Sequence, residues 1–417
     1  MYVDLKYEPK ENDLICEFRI EPTKGISIKQ AAENVAGESS TGTWVKLKVS
    51  PRIRNLGAKV FSIKGNYIKI AYPLDLFEPG NMPQILSSIA GNIFGMKVIK
   101  NLRLEDVHWP YEIVKSFKGP LFGIQGIRKL LRVPKRPLTG TIVKPKLGLN
   151  EKEHAKICYE AWVGGIDVCK DDENLSSLSF NNFAKRVIET LKMRDKAEKE
   201  TGERKMYMPN ITAEIDTMLE RANFVKEAGG EYAMVDILTV GWSALQNLRN
   251  ANEDLKLVLH AHRAGHGAFT RKKHGISMVV IADVARLIGL DQIHIGALAK
   301  MEGIKEEVLT IEEEVEKKII KEHGHVLAEN WYHIKPVFAV CSGGLYPSLV
   351  PKLIHLLGND IIIQAGGGVW AHPMGGKSGA AAMRQAVNAT LQNIQLEEYA
   401  KTHRELKVAI DKWGIKL

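Results

Sequence analysis

The sequence predicts an α/β protein: a C-terminal (β/α)8 TIM barrel preceded by a small N-terminal α+β domain of the ferredoxin-like kind. Three observations predict it. Eight short apolar runs follow Pro137, separated by longer segments of helical period. About 280 residues hold them, close to the ~250 typical of such barrels. Polar residues gather at the C-terminal ends of most of the runs, which in a barrel converge on one mouth. The expected division is 1–118 for the small domain and 119–417 for the barrel.

In the first part, LICEFRI, GTWVKLKVS, AKVFSI and YIKIAYPL alternate apolar and polar residues as half-buried strands do. Helices are expected from Ser27, a good N-cap, to about Val35, and from about Met82 to Ile89. In the second part the eight runs are TGTIVKPK, GGIDVCK, MYMPNIT, YAMVDI, LKLVLHAH, DQIHIG, PVFAVCSGG and DIIIQAGGG. The first ends in Lys144 and Lys146. The second ends in Lys170, Asp171, Asp172 and Glu173, the fifth in His260 and His262, the sixth in His294. The seventh passes into Ser342-Gly343-Gly344 and the eighth into Gln364 and Gly366-Gly367-Gly368.

Composition narrows the function classes. The chain is 45% hydrophobic and 26% charged, as globular proteins are. No apolar run reaches the roughly 18 residues that span a bilayer, and the first residues lack the apolar core of a signal peptide. Four scattered cysteines without a CxxC pair argue against a disulfide framework or a cysteine zinc site, and suit a reducing cytoplasm. The net charge of +9 is interleaved with acidic residues rather than gathered in a basic arm. A small anionic substrate accounts for it without nucleic acid or membrane.

The chemistry centres on KDDEN, Lys170 to Asn174. Such a string is usually a solvated charge run, but this one begins where a buried strand ends. Two carboxylates there suit Mg2+, a hard cation that takes oxygen ligands. A neighbouring lysine fits only if its amine takes up CO2 as a carbamate, a third oxygen ligand. Lys144 and Lys146, two apart between apolar flanks, are expected on one strand face and buried, where a lysine becomes a usable acid or base. His260, His262 and His266 could ligate zinc. Alternatively His260 is a core histidine, His262 a general base and Arg263 a phosphate fork. The two glycine triplets follow the seventh and eighth strands, where barrels often hold phosphate on backbone N–H groups. Lys300 lies among small residues that would suit a mobile lid.

GTIVKPKLGL, GGIDVCKDDEN, HAHRAGH, KMEG, SGG and QAGGG, in this order and spacing, resemble the large chain of ribulose bisphosphate carboxylase. GESSTGTW, AGNIFGMK and NLRLEDV extend the resemblance over essentially the whole chain, and TGERKMYMPNIT with the short termini resembles the archaeal form III branch. The resemblance implies a carboxylase with oxygenase side activity. The substrate would be ribulose 1,5-bisphosphate, with Mg2+ held by carbamylated Lys170, Asp172 and Glu173. The carbamate would take the C3 proton. Lys144 would handle protons at C2, helped by Lys146, and His262 would act in hydration and cleavage. Arg263 and His294 would hold one phosphate. Gly344, Gly366, Gly367, Thr43 and Trp44 would hold the other, with Ser342, Gly343 and Gln364 close by. Lys300 would close over the site. Glu38, Thr43, Trp44 and Asn92 would reach the barrel of a neighbouring subunit, implying a homodimer or an oligomer of dimers, with no small subunit.

Two departures stand out. The lid is one residue short, with Ala299 where relatives have glycine before the lysine, and Ile142 stands where many have threonine. The rival expectations are a related enolase or isomerase that does not fix CO2, and a sugar-phosphate-binding scaffold. Lys144, Lys170, His262 and Lys300 are all present, which favours the carboxylase.

Overall fold

The computed structural model describes residues 2–42, 48–296 and 305–415. Two compact units divide the chain: Met1–Gly119 with Gly265–Ile288 and Lys317–Ile334, and Pro120–Ala264 with Gly289–Glu316 and Lys335–Leu417.

The first unit holds four principal strands: β1 (Leu14–Pro22), β2 (Lys59–Lys64), β3 (Tyr67–Tyr72) and β4 (Ile99–His108). They lie in the order β4-β1-β3-β2, each antiparallel to its neighbour. Helices Ile28–Glu38 and Met82–Ile89 connect β1 to β2 and β3 to β4, which is the ferredoxin-like arrangement. Ser27 caps the first helix by accepting from the Gln30 N–H, so the helix starts where the sequence places it and runs three residues past Val35. Asn81 caps the second, which spans the expected residues. Of GTWVKLKVS, residues 43–47 lie outside the described residues. Residues 48–50 form no strand, and Ser50 instead caps helix Pro51–Leu56. The strand over Ile99–His108 enters the sequence reading only as part of a motif; its alternation breaks at Asp106-Val107, both buried. Gly275–Ile276 extend the sheet, parallel to β4.

The second unit is the barrel: β5 (Leu138–Ile142), β6 (Val168–Lys170), β7 (Met206–Met208), β8 (Tyr232–Asp236), β9 (Val258–His262), β10 (Gln292–Gly296), β11 (Phe338–Ser342) and β12 (Ile361–Gln364). All eight expected runs form strands. Their order is β7-β6-β5-β12-β11-β10-β9-β8, all parallel. Just past β7, a bridge from Asn210 to Met234 of β8 closes the ring. Strand alternation sorts the side chains. Leu138, Val168, Met206, Tyr232, Val258, Phe338, Val340 and Ile362 form one buried apolar cluster, and helix Gly123–Leu131 adds Ile124, Ile127 and Leu131 to it. Two or four residues on from the cluster members of β6, β8, β9, β11 and β12, the same face carries Lys170, Asp236, His260 and His262, Ser342 and Gln364.

Candidate active site

Lys170 ends β6 and is 1% exposed. Its ammonium donates to the carbonyl of Asp171 at 2.8 Å and lies 2.9 Å from Met234 Sδ. Burial pushes its pKa down, against Glu173, Asp236, Asp172 and Asp171, which pull it up. The burial therefore shifts the lysine toward its neutral amine. Asp172, also 1% exposed, accepts from Lys144 Nζ at 2.7 Å. Burial pushes its carboxyl up, but the contact with Lys144 wins and the pKa falls below the ordinary value. Asp171 turns to a different set of partners. It accepts from the Tyr207 hydroxyl at 2.7 Å, Arg186 Nε at 3.1 Å and the Asn210 N–H at 2.9 Å, with His154 Nε2 at 3.0 Å. Burial alone would raise Asp171, yet Arg186 and His154 hold it well below the usual carboxylate range. So the three acidic residues of KDDEN differ in role. Asp171 ties the loop to the scaffold, and Asp172 and Glu173 remain for the mouth.

His262 ends β9, with Nδ1 2.6 Å from Asp236 Oδ1 and Nε2 3.8 Å from Glu173 Oε2. Burial and the Lys170 ammonium lower its pKa, against Asp236, which raises it. A neutral imidazole donating Nδ1–H to Asp236 keeps an Nε2 lone pair for the mouth. Asp236 and Asn210 were not singled out in the sequence. Both sit at or just past the C-terminal end of a barrel strand, the position that identified the others. Asn210 Nδ2 donates to the Glu173 carbonyl at 3.0 Å and so supports the acidic loop.

Lys144 and Lys146 correct the expectation of burial. β5 ends at Ile142, so both lie in the following loop; Lys146 is exposed and the Lys144 side chain is 37% exposed. Apolar flanks marked the strand but not its end.

His260 is a core histidine, fully buried and bonded at both nitrogens: Nδ1 to Gln292 Oε1 and Nε2 to His294 Nε2, each 2.9 Å. His294 also contacts Ser342 Oγ through Nδ1 at 2.6 Å, so both its ring nitrogens are engaged within the barrel. Arg263 follows β9 and is 5% exposed. At the other side of the mouth, Gly343 and Gly344 adopt φ of 108° and 69°, conformations open to glycine. Gly366 precedes the short helix Gly367–Trp370. A Cβ on Gly366 would first meet Lys144 Cε at 3.6 Å, and one on Gly367 would meet nothing within 4 Å, so open space lies before this backbone. Gln364, 1% exposed, has neither amide atom hydrogen-bonded among the described residues.

Glu38 ends its helix and Asn92 is exposed at the start of a 3-10 turn, both in the first unit. Thr43, Trp44 and Lys300 lie outside the described residues. Among the described residues no three His, Cys, Asp or Glu side chains gather closely enough to hold a metal ion, the three histidines considered for zinc included. The mouth offers two carboxylates and a buried amine, a donor set that becomes three oxygen ligands once the amine carries CO2. No helix among the described residues is long and apolar enough to cross a membrane.

The catalytic-domain model of the ribulose bisphosphate carboxylase large chain matches residues 123–413, and the N-terminal-domain model matches residues 1–113. A ribulose bisphosphate carboxylase of Methanosarcina mazei is 50% identical over 421 aligned residues, 99% of this chain and 98% of the relative. One of Pyrococcus abyssi is 51% identical over 99% of this chain and 96% of its own length. Among solved structures, a dimeric archaeal Rubisco from Hyperthermus butylicus matches with a TM-score of 0.94 and 45% identity, covering 100% of this chain and 99% of that one. An octameric one from Pyrococcus horikoshii, in complex with sulfate ion, matches with 0.92 and 48%, covering 99% and 96%. Two family models that together take in nearly the whole chain, and relatives half identical from end to end, agree with the chemistry gathered at the barrel mouth: the chain belongs to the family of ribulose bisphosphate carboxylase large chains.

Proposed function

We propose that this chain is a ribulose bisphosphate carboxylase with oxygenase side activity: CO2 adds to the enediolate of ribulose 1,5-bisphosphate, and the product is cleaved to two 3-phosphoglycerates. The observation that carries it is the buried Lys170 amine beside Asp172 and Glu173, with Lys144 and His262 on either side. Relatives about half identical over the whole chain bear the name carboxylase, which supports carboxylation over the enolase alternative.

Lys170 as its carbamate, Asp172 and Glu173 would hold Mg2+, which when bound polarises the substrate's oxygens and stabilises the enediolate. Lys144, paired with Asp172, gives a proton at the C2 oxygen as the ammonium and takes one back as the amine; Lys146 adds positive charge from the loop. His262 takes a proton on Nε2 during hydration and cleavage, and Asp236 holds the ring and stabilises the imidazolium. Arg263 binds one phosphate as a two-pronged donor. His294 joins it only by turning an N–H away from its present partner, since both ring nitrogens are taken. Backbone N–H groups at Gly343, Gly344, Gly366 and Gly367, with Thr43 and Trp44 from a neighbouring copy, receive the other, Gln364 supplying an unpaired amide nearby. Lys300 covers the substrate and meets the charge that develops as CO2 adds.

Glu38, Thr43, Trp44 and Asn92 complete the barrel mouth of a neighbouring copy, so the working unit is a homodimer or an assembly of dimers without a small subunit. A dimeric and an octameric archaeal relative support the homo-oligomer. The enzyme works in the cytoplasm. Incubation with ribulose 1,5-bisphosphate and labelled bicarbonate tests the activity: label in 3-phosphoglycerate is expected, and unlabelled product or an isomerised substrate would refute it.

A further inference from the structure

A chain of five side chains runs from the middle of the barrel core to its mouth. The Tyr232 hydroxyl lies 3.2 Å from Gln292 Nε2, and Gln292 Oε1 lies 2.9 Å from His260 Nδ1. His260 Nε2 faces His294 Nε2 at 2.9 Å, and His294 Nδ1 lies 2.6 Å from Ser342 Oγ. Tyr232, His260 and Gln292 are fully buried and His294 is 4% exposed, so water does not compete for these bonds. Burial pushes both imidazoles well below their ordinary pKa, so both are neutral.

A neutral imidazole has one N–H and one lone pair. Two ring nitrogens facing each other at hydrogen-bond distance must therefore be one donor and one acceptor. That requirement makes the chain directional: the orientation of one member dictates the next. Gln292 is the member whose two ends differ chemically. In the structure its amide N–H donates to the Tyr232 hydroxyl, and with the amide so turned its oxygen accepts from His260 Nδ1–H. His260 Nε2 is then a lone pair and accepts from His294 Nε2–H. His294 Nδ1 is in turn a lone pair and accepts from the Ser342 hydroxyl, whose outward lone pairs are left to accept from a hydroxyl of the sugar.

We propose that Gln292, anchored by Tyr232, is a positioning residue that sets the tautomers of His260 and His294 and thereby the hydrogen-bonding direction of Ser342 at the barrel mouth. It touches no substrate and acts through the two histidines. A wrong direction would turn the Ser342 O–H toward the mouth, where a hydroxyl of the sugar needs a lone pair to donate to. The kinetic consequence rests on the carboxylase reading; the tautomers themselves do not.

The experiment uses the whole enzyme labelled with 15N-histidine. Two-dimensional 1H–15N spectra distinguish Nδ1–H from Nε2–H tautomers, and the two resonances are assigned by their loss in His260→Gln and His294→Gln. The wild type is expected to show His260 as Nδ1–H and His294 as Nε2–H. Gln292→Met keeps similar volume and removes both polar ends. It is expected to give mixed tautomers at His294 and a fall in kcat/KM of about tenfold, the scale of one lost hydrogen bond to a positioned group. Tyr232→Phe is a milder change and decides the matter should Gln292→Met fail to fold; the same mixing is expected, to a smaller extent. Opposite or mixed tautomers in the wild type would overturn the proposal, as would a His294 spectrum that neither variant changes. A wild type with the stated tautomers but no CO2 fixation would instead overturn the carboxylase reading and leave the relay standing.

Discussion

At Lys170 the pKa direction makes a prediction with a definite sign. Only the neutral amine attacks CO2, and burial favours that form by lowering the pKa. Activation by prior incubation with CO2 and Mg2+ should therefore strengthen as pH rises and level off below the pKa of an exposed lysine. Mass spectrometry under activating conditions should find about 44 extra mass units on Lys170, the mass of the CO2 taken up as one further oxygen-ligand group. Full activity in Lys170→Ala would refute the assignment. At His262 the sign runs through Asp236, which raises the imidazole pKa against burial and Lys170. Asp236→Asn should lower kcat by about a hundredfold, the scale of a mispositioned general base. Its carboxylate gone, the acidic limb of the pH–rate profile should move to lower pH. An unshifted limb would mean that another group is the base.

Among the elements, the loop after β12 separates glycines that fold the chain from those that face the ligand. A Cβ on Gly368 would lie 2.1 Å from the Leu345 carbonyl oxygen, and backbone cannot move aside cheaply. Gly368→Ala should cost on the order of 2 kcal/mol of stability, seen as a lower Tm. On Gly367 the same Cβ meets nothing within 4 Å. Gly367→Ala should keep the wild-type Tm yet raise KM for the bisphosphate on the order of tenfold, by crowding the N–H groups that receive phosphate. Equal Tm losses in both would show that the loop is purely structural.

For the assembled molecule, the proposed sharing of sites between copies gives a complementation test. Glu38 lies in the first unit and Lys170 in the barrel. Two equivalent sites across an isologous interface would each need one residue from each chain. Co-expressed Glu38→Ala and Lys170→Ala chains should therefore recover activity in mixed dimers, where one site has both parts intact. A mixture as inactive as either variant alone would mean that each chain carries a complete site.

Much of this protein is determined locally and so is legible in its residues. Strand alternation and helix caps act over a few positions: Ser27 and Asn81 start their helices where the pattern says, and all eight apolar runs become barrel strands. The clustering of Lys170, Asp172, Glu173, His262 and His294 also followed from sequence, because a barrel brings strand ends together wherever they lie in the chain. What only the tertiary structure decided was how each side chain is satisfied. That Asp171 faces Arg186 and Tyr207, that Asp236 holds His262, and that His294 spends both nitrogens on His260 and Ser342 depend on neighbours far apart in sequence. The end of β5 was only half legible: Pro145, with no N–H for the ladder, argues against a strand running through Lys146, but the apolar flanks read as burial and Lys146 stands in solvent. Periodicity specifies which face a residue takes, whereas burial and hydrogen bonding depend on what the rest of the fold sets against that face.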